Sequence, residues 1–139
     1  MQNLSCLILL LVLLLSGCGD NSSNENSEGS TWRGTEAEFE ESFELKKDAD
    51  HSRVLINTET KKKFDGTIET NQSDAISLHK YKDGKLDGES VKKSPNGSQV
   101  KANFKEGKLD GEMILMDSKG QVRSIINYQN GTFIPPKKE

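Results

Sequence analysis

Thiols, imidazoles, prolines and aromatic rings are all scarce in this chain of 139 residues: it holds two cysteines, two histidines, three prolines and a single tryptophan. Cys6 and Cys18 both fall within the first eighteen positions, so no disulfide can close within the remainder and no thiol nucleophile is present there. A small domain without such staples must draw its stability from hydrogen-bonded secondary structure and a modest apolar core. His51 and His79 stand in no metal-ligand or nucleophile spacing, and no glycine-rich phosphate loop precedes a helix. Asp83-x-x-x-Asp87-Gly88 fails as a calcium loop, because Lys85 occupies the third ligand position and Ser94 the twelfth. The expectation is a protein with no catalytic residue, no metal and no cofactor.

Charge of one sign is missing from neither half, but it is divided. Residues 20–50 carry ten acidic and three basic side chains (−7), residues 51–139 twelve acidic and sixteen basic (+4), which together return the formal −3. The later part is only mildly basic, which argues against nucleic acid as a partner. Solvated faces and lysine-guarded strand edges account for the pattern. The sharper alternative is that the acidic arm contacts the basic region, or that this region meets an acidic partner or an anionic surface.

What the chain does have is a phrase written twice. Tyr81-Lys-Asp-Gly-Lys-Leu-Asp-Gly-Glu89 and Phe104-Lys-Glu-Gly-Lys-Leu-Asp-Gly-Glu112 are offset by 104 − 81 = 23 positions, with a degenerate earlier copy at Lys63-Phe-Asp-Gly66. A fixed period in this range marks an array whose units are stable only when stacked. Asp83-Gly84, Glu106-Gly107 and Asn130-Gly131 supply the positive φ of two-residue hairpin turns. Centring each turn on its pair sets Lys82 opposite Lys85, Tyr81 opposite Leu86, Phe104 opposite Leu109 and Tyr128 opposite Phe133. Three hairpins thus place a ring against a bulky apolar side chain on one face. The same register sets Gly88 opposite His79 and Gly111 opposite Ala102. Gly66, Gly88 and Gly111 are expected to mark bulges, or bare backbone covered by a neighbouring ring. Asp65, Asp87 and Asp110 recur once per unit, which suits turn or edge polarity rather than acid–base chemistry.

The predicted strands are residues 53–58, 64–70, 75–81, 86–93, 99–105, 109–116 and 121–129, in an all-β antiparallel meander of tandem hairpins forming a single sheet. Residues 114–116 with 125 and 126 are its most apolar neighbourhood, where both faces are expected to be covered. Pro135-Pro136 stops pairing, leaving residues 135–139 as a tail. Thr35-Glu-Ala-Glu38 matches a capping box and Phe39 and Phe43 are four apart, which suits a short helix, although Phe43-Glu-Leu45 equally begins a strand.

The doubled phrase, the intervening Asn-Gly and Lys-Gly turns and Lys63-Phe-Asp-Gly-Thr-Ile68 resemble the MORN-variant repeats of YwqK-type antitoxins, over roughly residues 53–134. The resemblance implies a sheet of consecutive hairpins and a role in binding and neutralising a partner. The family's aromatic cluster after Asp-Gly-Glu is replaced here by Ser90-Val-Lys-Lys and Met113-Ile-Leu-Met. Upstream, residues 7–15 are an unbroken apolar run, too short to span a bilayer at about 20 residues. Leu15-Ser-Gly-Cys18 resembles the lipobox of bacterial lipoproteins, although Met1-Gln-Asn carries no lysine or arginine. That resemblance implies a signal peptide over residues 1–17 and lipidation of Cys18, hence a membrane anchor at the cell envelope, in a Gram-negative host on the outer membrane. Residues 18–50 then read as a polar, acidic tether and residues 51–134 as the repeat domain. The expected function is non-enzymatic binding of a macromolecular partner, a toxin or effector; the alternative is an envelope scaffold or spacer contacting peptidoglycan or other envelope proteins.

Overall fold

The computed structural model describes residues 30–49 and 51–136. In chain order the elements are β1 (Ser30–Gly34), α1 (Glu36–Ser42), β2 (Phe43–Lys47), β3 (Arg53–Asn57), β4 (Gly66–Gln72), β5 (Ala75–Lys82), β6 (Lys85–Lys93), β7 (Gln99–Lys105), β8 (Lys108–Met116), β9 (Val122–Gln129) and β10 (Thr132–Ile134). Eight strands form one sheet, ordered β1-β4-β5-β6-β7-β8-β9-β10, and β2 and β3 form a separate two-stranded ribbon. From β4 onward each strand pairs antiparallel with the next, giving the expected meander of tandem hairpins.

The turns set the register. Asp83, Glu106 and Asn130 lie at φ of 50°, 49° and 48°, each followed by a glycine that is also left-handed, the twist that matches the flanking strands. Tyr81 faces Leu86, Phe104 faces Leu109, Tyr128 faces Phe133 and Lys82 faces Lys85. Beyond the first pairs the simple register breaks. His79 pairs with Ser90 instead of Gly88, and Ala102 with Met113 instead of Gly111, because two extra residues are taken up on β6 and on β8. Gly88 and Gly111 sit in these bulges at φ of 103° and 107°. On their other side Gly88 pairs with Phe104 and Gly111 with Tyr128, as Gly66 pairs with Tyr81. Each ring therefore has an apolar partner in its own hairpin and a glycine partner in the hairpin before it.

Two expectations change at the amino-terminal side. Residues 30–47 fall within the stretch expected as tether, residues 18–50, yet β1 pairs with β4 in parallel, from Ser30 opposite Gly66 to Gly34 opposite Thr70. A parallel pair requires a crossover connection, and α1 with the ribbon supplies it. Likewise β3, expected as the first strand of the repeat array, pairs with β2. The ambiguity over residues 35–47 resolves as both readings in succession. Thr35 caps α1 by accepting from the Glu38 N–H while Glu38 reaches back to the Thr35 N–H, and the chain turns extended at Phe43.

The core lies where these pieces meet. Phe43, Leu55 and Ile68 are buried, packed by Trp32, Phe39, Phe64 and Tyr81. The rings follow one another in contact: Trp32–Phe43 at 5.5 Å, Phe39–Phe43 at 5.3 Å, Phe43–Phe64 at 5.1 Å and Phe64–Tyr81 at 6.1 Å between centroids. Backbone bonds fix the ribbon to the sheet: the Leu55 N–H donates to the Gly84 carbonyl at 2.7 Å and the Phe64 N–H to the Leu55 carbonyl at 3.0 Å. Lys85 Nζ lies 2.9 Å from Asp48 Oδ2, an ion pair largely shielded from water.

Phe104, by contrast, is only half-buried. Phe104→Ala should lower the unfolding free energy by about 2 kcal/mol, less than the roughly 3–5 kcal/mol of a fully enclosed ring. A urea midpoint equal to that of the parent would contradict the pairing of Phe104 with Leu109.

Candidate interaction surface

The repeated carboxylates are occupied by the architecture. Asp65 Oδ1 accepts from the Asp83 N–H at 2.6 Å, Asp87 Oδ2 from the Glu106 N–H at 3.1 Å and Asp110 Oδ2 from the Asn130 N–H at 3.0 Å. The residue before each aspartate accepts from the turn glycine: Gly84 donates to the Phe64 carbonyl, Gly107 to Leu86 and Gly131 to Leu109, at 2.9, 2.8 and 2.7 Å. Each Phe/Leu-Asp pair thereby supplies both acceptors for the turn of the next hairpin. The next positions in that series are Phe133-Ile134-Pro135, 133 − 109 = 24 residues on, where no carboxylate remains to receive a further turn. Asp87→Ala should destabilise by about 1–2 kcal/mol, and Asp87→Asn, which keeps an acceptor, by less. Equal urea midpoints for Asp87→Ala and the parent would contradict the capping role.

The sheet has two unlike faces. Trp32, Ile68, His79, Ser90, Ala102, Met113 and Ile126 are successive cross-strand neighbours and so form one row on one face. Ile68 joins the core there, beneath α1 and the ribbon. His79 Nδ1 bonds to the Ser90 hydroxyl. Burial, and secondarily Lys92, depress its pKa below the usual 6.5, while Glu36 opposes the shift. A histidine held neutral in the fold contributes stability that is complete above the unfolded value and lost as pH falls through the folded one. Stability should therefore decline as pH drops below 6.5, and His79→Gln should flatten that decline, measured by urea midpoints across pH 5–8.

Over β7–β10 the same face is free of charge. From β7 it takes Val100, Ala102 and Phe104, from β8 Leu109, Gly111, Met113 and Leu115, from β9 Ser124, Ile126 and Tyr128, and from β10 Phe133. No other described element covers it, and Val100 and Phe133 remain 39% and 53% exposed. The apolar neighbourhood around residues 114–116, expected to be covered on both sides, is half-buried within its own sheet, with Ile125 exposed on the opposite face. That opposite face is chiefly polar, with Lys101, Asn103 and Lys105 on β7 and Asp110 and Glu112 on β8. A contiguous uncharged patch of this kind on a sheet is a surface suited to association.

At the turn end of this face the ribbon forms a cleft of about 320 Å³ with the sheet, lined by Leu45, Ser52, Arg53, Tyr81, Gly84, Leu86, Glu106, Gly107 and Lys108. Leu45 is paired with Leu55 and shares its face, yet it is 57% exposed while Leu55 is fully enclosed. Burial raises the Tyr81 phenol above its ordinary pKa of 10.0, so the cleft presents it as a neutral hydrogen-bonding group. Beside the cleft, Lys47 and Arg53 stand directly opposite one another.

Of the positions singled out from the sequence, Tyr81, Leu86, Phe104, Leu109 and Tyr128 fall on the charge-bearing-free face or at its cleft. Gly66, Gly84, Gly88, Gly107, Gly111 and Gly131 shape the backbone that presents them. Cys18 lies outside the described residues. Leu45 and Arg53 were not anticipated, since their place depends on how the ribbon docks. Among the described residues no helix is long and apolar enough to cross a membrane. No group of three or more His, Cys, Asp or Glu side chains gathers among them as a metal would require. Comparison with protein-family models, curated proteins and solved structures finds no match to this chain.

Proposed function

We propose that this is a non-enzymatic, lipid-anchored protein of the bacterial cell envelope whose repeat sheet binds another protein, a toxin or effector that it neutralises by occlusion. The uncharged face of β7–β10 carries the reading. It offers apolar area on a fixed register, and the recurring carboxylates are engaged in the turns. Occlusion needs affinity rather than chemistry, and burial of apolar surface is the dominant favourable term in most protein–protein association. Leu15-Ser-Gly-Cys18 supports a membrane tether, and the likeness of the doubled phrase to MORN-variant repeats of YwqK-type antitoxins supports a neutralising role.

The test is deletion of the gene followed by challenge with effectors from neighbouring cells. The wild-type gene should restore survival, whereas Met113→Lys, which puts a charge in the middle of the apolar face, should weaken partner binding by about 2 kcal/mol, roughly 30-fold, and fail to protect. Unchanged survival of the deletion strain under every effector would remove the neutralising role. Retention of the protein on isolated sacculi would point to the scaffold alternative.

A further inference from the structure

Resting on the reading that this surface binds protein, we infer that the cleft between the ribbon and the sheet receives an acidic segment carrying aromatic anchors, of the same chemistry as the chain's own residues 35–45. Three observations converge on that occupant. The cleft joins an apolar floor, Tyr81 and Leu86, to an exposed roof residue, Leu45, and its volume of about 320 Å³ fits one or two large side chains. Its margin is basic on balance: Arg53 and Lys108 line it against one carboxylate, Glu106, and Lys47 stands directly opposite Arg53, with neither Lys47 nor Arg53 in an ion pair among the described residues. Like charges in this relation repel, and a carboxylate laid between them relieves the repulsion. The third observation is a precedent within the molecule. What already covers this face of the sheet is a segment with glutamates at 36, 38, 40, 41 and 44 that inserts Phe39 and Phe43 beside Ile68. The cleft continues that interface toward β7 and β8, and the Asp48–Lys85 ion pair with the Leu55-to-Gly84 bond holds it open in a fixed shape.

The test is fluorescence anisotropy of a labelled synthetic peptide copying residues 35–45, titrated with the full chain in detergent micelles. Saturable binding is expected, weakened about tenfold or more by the double charge reversal Lys47→Glu with Arg53→Glu, and weakened by added salt. A peptide with its five glutamates replaced by lysine should fail to bind the parent and should bind the reversed protein. Both positions are exposed strand residues, and an unchanged circular dichroism spectrum confirms that the variant folds. Binding indifferent to the reversal, including displacement of the chain's own α1, or equal binding of the lysine peptide, overturns the proposal. So does a dimer in light scattering that the same reversal abolishes, which would put a second copy in the cleft. Loss of protection by Met113→Lys alongside absence of peptide binding would sink this inference alone and leave the protein-binding role standing.

Discussion

Leu55→Ala should destabilise the protein by about 2–5 kcal/mol, a large share of the roughly 5–15 kcal/mol typical of a domain. Leu55 is fully enclosed and packs with Phe43 and Ile68, so its truncation opens a cavity at the one cluster shared by ribbon, helix and sheet. The surrounding rings cannot collapse into that cavity without breaking the edge contacts among Phe43, Phe64 and Tyr81. Leu45→Ala, on the same ribbon face but 57% exposed, should cost less than about 1 kcal/mol. Urea denaturation followed by circular dichroism measures both. Midpoints shifted equally by the two substitutions would mean that the ribbon does not dock as described.

Gly66→Ala should detach β1 and lower stability by about 2–4 kcal/mol. At φ of 142° the position disfavours any side chain, and a methyl group there would stand 1.9 Å from the Ser30 carbonyl oxygen, a backbone atom with nowhere to retreat while β1 remains paired. Trp32 lies on β1 opposite Ile68 and in edge contact with Phe39 and Phe43. As the sole tryptophan it reports the loss directly, through a red shift of its emission. Gly120→Ala is the matched control: its φ of 77° is also left-handed, yet nothing lies within 4 Å of the added carbon, so only the conformational term of about 1 kcal/mol applies. Equal losses at the two glycines, with unshifted emission in both, would contradict the parallel pairing of β1.

The hairpins were readable because their information is local. Asp83-Gly84, Glu106-Gly107 and Asn130-Gly131 demand one turn geometry, and a two-residue turn leaves one register for the pairs beside it. The bulges at Gly88 and Gly111 were foreshadowed by glycine itself, but their consequence, a shift that moves His79 onto Ser90, depends on how many residues each strand absorbs before pairing resumes. The aspartates showed in their repetition that they were structural. Which N–H each one caps became visible only across the hairpin boundary, some 20 positions away, as with Asp110 and Asn130. The capping box at Thr35 was legible to the residue, while the switch to strand at Phe43 was open, since an apolar residue every second or every fourth position serves either element over so short a stretch.

By itself, then, the order of residues decided the meander, its turns and the pairs beside each turn, because each follows from φ preferences and a period of two. Only tertiary structure decided that β1 adds in parallel at Gly66, that β2 and β3 leave the array, and that Leu45 and Arg53 overhang Tyr81 and Leu86. Those placements arise from contacts between segments tens of residues apart, where burial of Phe43, Leu55 and Ile68 outweighs any local preference.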